Sequence, residues 1–255
     1  MHTKLYNDGT HKCIVFSNFV PEDNVLANQF MVIDGNHAAI IDPGGNLIFK
    51  RLKLSVDRQL FGKTLDYVIG SHQDPDIISS MERWLVETDC KVLVPAISSR
   101  FITHVLPVDK FRSRIIGIHE KGMDIKIGDA ILKAIPAHFL HSEGNFQFYD
   151  PVSKILFSGD MGASPFLRYS EKTEQPVEDF SAHIRNIEGF HCRYMSGNKV
   201  CRYWVNMVRG LDIEWLVPQH GRPFKGKAMI ERFLTWIEEL ECGIDLVTQE
   251  NYKIP

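Results

Sequence analysis

Four apolar runs of the chain each end in residues of the types that bind metal ions. The runs and the residues that follow them are "LDYVIG" before His72, Asp74 and Asp76, "AILKAIPA" before His138, "KILFSG" before Asp160, and "IEWLVPQ" before His220. Short apolar runs bounded by turn residues are typical of buried strands. In layered α/β folds functional groups gather where strands end, because the loops there converge on one crevice. The pattern predicts an α/β fold in which three histidines and three aspartates meet.

Each of these residues has an ordinary structural role when it is taken alone. A histidine after a strand is usually a hydrogen-bonded core or surface residue. Asp160, in "SGDMG", is typical of a turn, and the aspartates of "HQDPD" are typical of a helix start. The repeated order of strand, ligand residue and small residue favours a metal site over four unrelated structural roles.

The rest of the chain continues the alternation of strands and helices. Further strands are predicted at "CIVFS", "QFMVID", "HAAIID", "KVLVPA", "DIKI" and "NFQFYD". Apolar residues at helical spacing predict helices over residues 46–60, 77–85, 97–106, 177–190, 199–211 and 227–240. No internal repeat and no Gly/Ser/Pro-rich linker divides the sequence, so we expect a single domain over residues 1–255.

Composition excludes several classes of partner. The chain has 44% hydrophobic and 24% charged residues and a formal net charge of -3, with no long basic run. Binding to nucleic acid or to an anionic membrane is therefore not expected. The polar start "MHTKLYNDGTHK" has no apolar signal segment, and no window is apolar enough to span a membrane. We expect a soluble, cytoplasmic protein.

The cysteines predict neither a disulfide framework nor a thiolate zinc knuckle. The sequence has five of them, an odd and scattered set without a CxxC pair: Cys13, Cys90, Cys192, Cys201 and Cys242. Most are interpreted as buried or incidental thiols.

The order of the motifs "SHQDPD", "AHFLH", "FSGD" and "PQHG" resembles the metallo-β-lactamase superfamily. The resemblance implies a four-layer αββα sandwich with a two-metal site at one edge of its sheets. Asp74 stands where the usual first motif, H-x-H-x-D-H, has its second histidine. A carboxylate there is similar to the flavodiiron branch. The stretch "AHFLHSEGNFQFYD" resembles the stand-alone oxygen-binding diiron proteins associated with bacterial chemotaxis.

The resemblance assigns ligands position by position. It implies that His72, Asp74 and His138 hold one metal, that Asp76 and His220 hold the second, and that Asp160 bridges the two. His141 is then expected to orient a ligand from outside rather than to bind metal itself.

One position departs from the superfamily pattern. The superfamily often has another histidine where this chain has Ile77. The second metal would therefore have fewer protein ligands, and Ile77 would mark a coordination position open to a small molecule. A water, a substrate or His141 could fill that position.

The ligand types leave the metal and the chemistry open. Two iron ions are favoured by the carboxylate-rich set, with zinc or manganese as alternatives. The resemblance implies a non-haem diiron protein that binds dioxygen or another small diatomic ligand, in one form as a peroxo species, and acts as an oxygen or redox sensor.

Two other functions remain open. One is reduction of dioxygen or nitric oxide with an external electron donor, because the chain lacks a flavodoxin domain and a Gly-rich phosphate-binding loop, and hence a flavin. The other is dinuclear metal-dependent hydrolysis, in which a metal-bound water is the nucleophile.

Two further segments lie outside the pattern of strands and ligand residues. Residues 162–179 are expected to form a loop beside the site. Residues 190–204 mix aromatic and basic side chains, which fits either a surface for a signalling protein or a solvated helix–turn–helix connection. Relatives of this fold often form dimers, so a homodimer remains open.

Overall fold

The structure, a computed structural model, describes residues 2–21, 24–167 and 173–254. Over these ranges the chain forms two β-sheets whose strands lie in chain order across each sheet. The first sheet contains β1 His2–Asn7, β2 His11–Phe16, β3 Gln29–Asp34, β4 His37–Ile41, β5 Thr64–Ile69, β6 Lys91–Pro95 and β7 Ile115–Ile118. The second contains β8 Met123–Ile127, β9 Ala130–Pro136, β10 Phe146–Asp150, β11 Ile155–Phe157, β12 Trp215–Val217 and β13 Phe224–Lys225.

Helices cover the outer face of each sheet. They are α1 Phe49–Leu60, α2 Pro75–Ile78, α3 Met81–Glu87, α4 Val108–Phe111, α5 Phe180–Tyr194, α6 Asn198–Val208 and α7 Lys227–Glu239. Short 3₁₀ turns lie at Ala96–Arg100, Ile102–His104, Arg112–Arg114, Gly243–Leu246 and Gln249–Tyr252.

Three hydrophobic clusters, taken over the described residues, separate four layers. Leu52 of α1 and Trp84 of α3 pack on the outer face of the first sheet. Phe30 and Phe157 meet between the sheets, with ring centroids 5.0 Å apart. A third cluster, which includes Phe233 of α7, fills the space between the second sheet and α5, α6 and α7. The predicted αββα sandwich is thus confirmed.

The elements differ from the sequence prediction mainly at their ends. The helix predicted over residues 46–60 begins at Phe49, because Gly45 and Ile48 form a turn in front of it. The segment 97–106, predicted as one helix, forms 3₁₀ turns instead. The edge strands β1 and β7 lie outside the apolar runs from which strands were predicted, and they are the least buried strands of their sheet.

The two further segments considered in the sequence, residues 190–204 and 162–179, have different outcomes. Residues 190–204 form the end of α5, a short turn and the start of α6, which is the helix–turn–helix connection. The loop predicted over residues 162–179 falls partly outside the described residues, since 168–172 are not among them. Within the described ranges, no helix is both long enough and apolar enough to cross a membrane.

The topology brings the ends of the predicted strands to one edge. β11 and β12 run parallel, so their carboxyl ends lie side by side. β10 pairs antiparallel with β9 and β11, so its first residue, Phe146, lies at the same edge as their last residues. The Phe146 amide donates a hydrogen bond of 3.0 Å to the Ser71 carbonyl, which joins this edge to the loop after β5.

Candidate metal centre

The first group of candidate ligands surrounds one oxygen of Asp160. His72 Nε2 lies 3.4 Å from Asp160 Oδ2 and 3.6 Å from Asp74 Oδ2. His141 Nε2 lies 3.0 Å from Asp74 Oδ2 and 3.7 Å from Asp160 Oδ2. These separations suit nitrogen and oxygen atoms that share one metal ion at bond lengths of about 2.0–2.2 Å.

A second group surrounds the other oxygen of the same carboxylate. His220 Nε2 lies 3.4 Å from Asp160 Oδ1 and 3.6 Å from Asp76 Oδ2. Asp160 therefore points one oxygen at each group. This is the geometry of a carboxylate that bridges two metal ions.

Two buried polar atoms support a cation between these groups. Among the described residues, His72 Nε2 and Asp160 Oδ1 have no hydrogen-bond partner, although His72 is 1% and Asp160 2% exposed. Buried polar atoms in proteins are nearly always paired, and binding to an ion accounts for many of those that lack a hydrogen bond. The donor set, imidazole nitrogens and carboxylate oxygens, suits a divalent transition metal.

The histidine rings are held by bonds to their other nitrogens. His220 Nδ1 donates to the Leu26 carbonyl at 2.7 Å, which leaves Nε2 facing Asp160. His72 Nδ1 lies 2.9 Å from the Ser71 hydroxyl, and the Ser71 amide donates to Asp42 Oδ1 at 2.8 Å. Such outer contacts set the tautomer and the ring orientation of a metal ligand.

His138 does not lie with the other candidates. Its Nε2 is 2.8 Å from the Glu120 carbonyl, and its ring packs edge-on against Phe146. His141 occupies the position that was expected for His138. Phe139 and His141 both adopt positive φ angles, 65° and 80°, and these angles reverse the direction of the chain between the two histidines. His141 therefore takes the place of His138 in the candidate ligand set.

His191 supports the loop that carries Asp160, and it was not predicted from the sequence. Its Nδ1 donates to the Ile187 carbonyl at 2.7 Å and its Nε2 accepts the Gly162 amide at 3.0 Å. Complete burial lowers the pKa of His191 to about 4, so the ring is neutral and can accept that bond. It fixes the turn two residues after Asp160. No sequence signal marks it, since a histidine inside an amphipathic helix has no distinctive spacing.

Charge coupling within the groups is strong when no metal is bound. Burial alone would lower the pKa of His72, but the charge of Asp160 and the close approach of both Asp160 and Asp74 raise that pKa well above its usual value. Burial would raise the pKa of Asp160, but His72, His220 and His141 lower it to about 2. The metal-free groups therefore hold protons on imidazoles that a metal ion must displace.

An open cavity of about 610 Å³ leads to both groups. Its walls include the candidate ligands Asp74, Asp76, Asp160, His141 and His220, and apolar side chains that include Leu47, Phe166, Phe190 and Tyr194. Ile77, expected beside an open coordination position, is instead completely buried in the cluster between the first sheet and its helices. At the second group, Asp76 and His220 form part of the cavity wall.

Comparison with known proteins identifies the family. A family model described as "ODP family beta lactamase" matches residues 25–221, and the chain belongs to that family. A solved structure described as the peroxy diiron species of chemotaxis sensor ODP is 37% identical, with a TM-score of 0.85 and 99% coverage of both chains. The apo state of the chemotaxis sensor ODP from T. denticola is also 37% identical, with a TM-score of 0.84 and the same coverage.

More distant matches agree in fold. A flavo di-iron protein from Thermotoga maritima is 16% identical with a TM-score of 0.75, over 93% of this chain and 60% of that one. Among curated proteins, an uncharacterized protein of Methanocaldococcus jannaschii is 24% identical over 212 residues, 82% of this chain and 52% of the relative. A second from the same organism is 24% identical over 208 residues. The chain spans about half the length of these curated relatives.

Proposed function

We propose that this protein holds two iron ions at the candidate metal centre and binds dioxygen there as an oxygen sensor. The observation that carries the proposal is the position of Asp160, with one carboxylate oxygen at 3.4 Å from His72 and the other at 3.4 Å from His220. The 37% identity to a chemotaxis sensor whose structure is described as a diiron species supports iron and dioxygen over other choices.

The proposed ligands form two unequal sets. His72, Asp74 and His141 would hold the first iron together with Asp160. Asp76 and His220 would hold the second together with Asp160, so the second set has fewer protein ligands, and side chains of both sets line the cavity. A ferrous pair, when bound, would supply two electrons to dioxygen.

The side chains around the centre supply charge and pack against one of the proposed ligands. Three aspartates carry three negative charges against the four positive charges of two divalent ions, which leaves a small positive charge that favours an electron-rich ligand. Phe190 and Tyr194 of α5 stack with their centroids 4.8 Å apart, and Tyr194 lies edge-on to His141 at 5.4 Å. These rings form the cavity wall beside the His141 imidazole.

Reduction of dioxygen or nitric oxide with an external donor is the second candidate. The cavity of about 610 Å³ is much larger than a diatomic molecule, so it offers a donor protein an approach to the second group. Dinuclear hydrolysis is the third candidate, and Asp74 in place of a histidine counts against the usual hydrolytic zinc set.

The setting of the protein is part of the same proposal. We place it in the cytoplasm, with residues 1–255 as a single domain that contacts a signalling or electron-donor protein. A homodimer is an open arrangement. No nucleic-acid or membrane partner is proposed.

Oxygen binding is tested by the optical spectrum of anaerobic, ferrous-loaded protein before and after a pulse of dioxygen. We expect new near-ultraviolet or visible absorption that saturates at one dioxygen for each pair of irons. A product that persists supports the sensor, whereas a product that decays and is renewed by added reductant supports the reductase. An unchanged spectrum with iron bound would contradict both and favour the hydrolase.

A further inference from the structure

A second group of metal-binding side chains lies at the edge of the sandwich opposite the candidate metal centre. It consists of His11 and Cys13 in β2 and Asp150 at the end of β10, all buried. β3 pairs antiparallel with β2 and β4, so the start of β2 and the end of β3 are far from the edge that carries His72. Neither the ligands proposed above nor the cavity beside them includes these residues.

The spacing in β2 puts two donors on one face. Residues i and i+2 of a strand point to the same side, so His11 and Cys13 both face the space between the sheets. Asp150 enters that space from the second sheet. One imidazole, one thiol and one carboxylate thus converge from both sheets.

The three donor atoms are separated by distances that suit a shared ion. His11 Nε2 lies 2.8 Å from Asp150 Oδ2 and 3.8 Å from Cys13 Sγ, and Cys13 Sγ lies 3.2 Å from Asp150 Oδ2. Ligands bound tetrahedrally at about 2.0–2.3 Å lie roughly 3.2–3.8 Å apart. Small adjustments of these side chains would therefore admit an ion between them.

One carboxylate oxygen is crowded with donors in the metal-free arrangement. His11 Nε2, the Cys13 thiol and the Ser153 hydroxyl all donate to Asp150 Oδ2. A carboxylate oxygen has two lone pairs for hydrogen bonds, so one donor has no lone pair of its own. A metal ion that takes up the imidazole and the thiolate removes that crowding and leaves the Ser153 bond in place.

The far side of the imidazole is arranged as it is in metal sites. Asp34 Oδ1 lies 3.0 Å from His11 Nδ1, and Asp34 Oδ2 accepts the amides of Asp129 at 2.8 Å and Ala130 at 3.2 Å. A carboxylate on the second nitrogen holds the ring so that Nε2 faces the ion and raises the basicity of that nitrogen.

A divalent ion leaves the net charge of the cluster unchanged. With His11 protonated, Asp34 and Asp150 leave one negative charge in a buried space. A divalent ion bound to neutral His11, the Cys13 thiolate and Asp150 also leaves one negative charge, that of Asp34, which the imidazole N–H and two amides stabilise. Binding releases the thiol proton and the imidazolium proton to solvent.

We propose that His11, Cys13 and Asp150 form a zinc site that joins the two sheets at the edge opposite the candidate metal centre. A thiolate with an imidazole and a carboxylate is a zinc set rather than an iron–oxygen set. The fourth position is left to the Ser153 hydroxyl or a water. The proposal does not rest on the proposed function, since none of its residues belongs to the candidate metal centre.

Cobalt(II) is the probe that tests the site, because it replaces zinc and reports sulfur ligation. Metal-free wild-type protein titrated with cobalt(II) is expected to develop a near-ultraviolet sulfur-to-cobalt charge-transfer band, which zinc then abolishes. The ligands proposed for the other centre are nitrogen and oxygen atoms, so they cannot produce that band. Cys13→Ser is expected to lose the band and one metal equivalent, while the metals bound through Asp160 stay.

The matched control is Cys90→Ser, which changes an equally buried thiol in another layer and is expected to keep the band. If Cys13→Ser does not fold, the wild-type titration decides. Absence of the band in wild-type protein, or a band of unchanged intensity in Cys13→Ser, would overturn the zinc site and leave a purely hydrogen-bonded cluster.

Discussion

At the scale of single residues, the two oxygens of Asp160 hold the candidate metal centre together. Asp160 is 2% exposed and contacts histidines from three different loops, at His72, His141 and His220. In the metal-free protein these are contacts among buried polar groups, and removal of one partner leaves another buried and unpaired. Substitution of one candidate ligand should therefore weaken binding of the metal whose proposed ligand set includes that residue.

Asp160→Ala is expected to lose both metals, because each proposed set uses one of its oxygens. Metal content after iron loading and desalting should fall from two equivalents to near zero. Asp42→Asn is the control, since Asp42 lies nearby and is equally buried. The side-chain oxygen of the asparagine can still accept the hydrogen bond from the Ser71 backbone N–H. Retention of two metals by Asp160→Ala would rule out the bridge.

Because His141, and not His138, lies among the candidate ligands, we expect opposite results when each of these two histidines is substituted. His141→Ala should weaken binding of the first metal by more than the roughly 10–100-fold typical of losing an outer contact. His138→Ala should keep both metals, because its Nε2 donates to Glu120 outside the centre. Competitive metal titration of both variants separates them, and the reverse result would restore His138 as the ligand.

At the scale of elements, tight turns after the strands place the ligands. His220 is followed by Gly221, whose φ is 84°. A Cβ on Gly221 would lie 1.9 Å from the Ser164 hydroxyl and 2.8 Å from the Ser164 carbonyl oxygen. On the other side of the centre, His191 anchors the turn after Asp160 to α5. The helix layer thus supports the loops that carry the ligands.

Gly221→Ala is expected to lower the free energy of unfolding by about 1–3 kcal/mol, because alanine must adopt a left-handed conformation in contact with Ser164. The substitution should also weaken binding of the second metal more than binding of the first, because it displaces His220. Urea denaturation of metal-free protein and metal stoichiometry measure the two effects.

Gly189→Ala is the matched control for this change. Gly189 lies inside α5, and a Cβ added there would meet no neighbouring atom within 4 Å, so alanine should raise the free energy of unfolding by about 0.5–1 kcal/mol. Equal effects of the two substitutions would contradict the role given to the turn.

At the scale of the whole molecule, His11 connects the two sheets. It contacts Asp34 of the first sheet at 3.0 Å and Asp150 of the second at 2.8 Å. Burial alone would lower the pKa of His11, but the bonds and charges of Asp150 and Asp34 outweigh burial and raise it. Other titratable groups near the ring include Cys13, Tyr6 and Asp8.

A raised pKa makes this contact depend on pH in a defined direction. In metal-free protein its stabilisation is complete below the unfolded value of about 6.5 and is lost as pH rises through the raised folded pKa. His11→Gln should therefore lower the free energy of unfolding by about 1–3 kcal/mol at pH 6, and by less at pH 9. Urea denaturation with a chelator present measures both.

His37→Gln is the control for the same edge of the sheet. His37 pairs with Asp66 at 3.0 Å, but its side chain is 50% exposed. Exposed pairs contribute little, so the loss should stay below about 1 kcal/mol at either pH. A His11→Gln effect that is equally small, or one that grows with pH, would contradict the proposed link between the sheets.

The layered fold and most of the residues that meet at the candidate metal centre could be predicted from the sequence. Apolar runs predict strands because burial requires them, and ligand residues after those runs must lie at strand ends. Five of the six predicted ligands, those other than His138, lie together for this reason. The position of Ile77 could not be read in this way, because the direction of a side chain on a one-turn helix depends on what packs above it.

The choice between His138 and His141, and the contact of His11 and Cys13 with Asp150, depend on the three-dimensional fold and could not be predicted from the sequence. His138 and His141 offer the same donor atoms three residues apart, and positive φ angles at Phe139 and His141 determine which one faces Asp160. Asp150 is 139 residues from His11 along the chain, and they meet because the two sheets stack. Local sequence patterns predict elements, whereas these contacts depend on backbone conformations and on packing between layers.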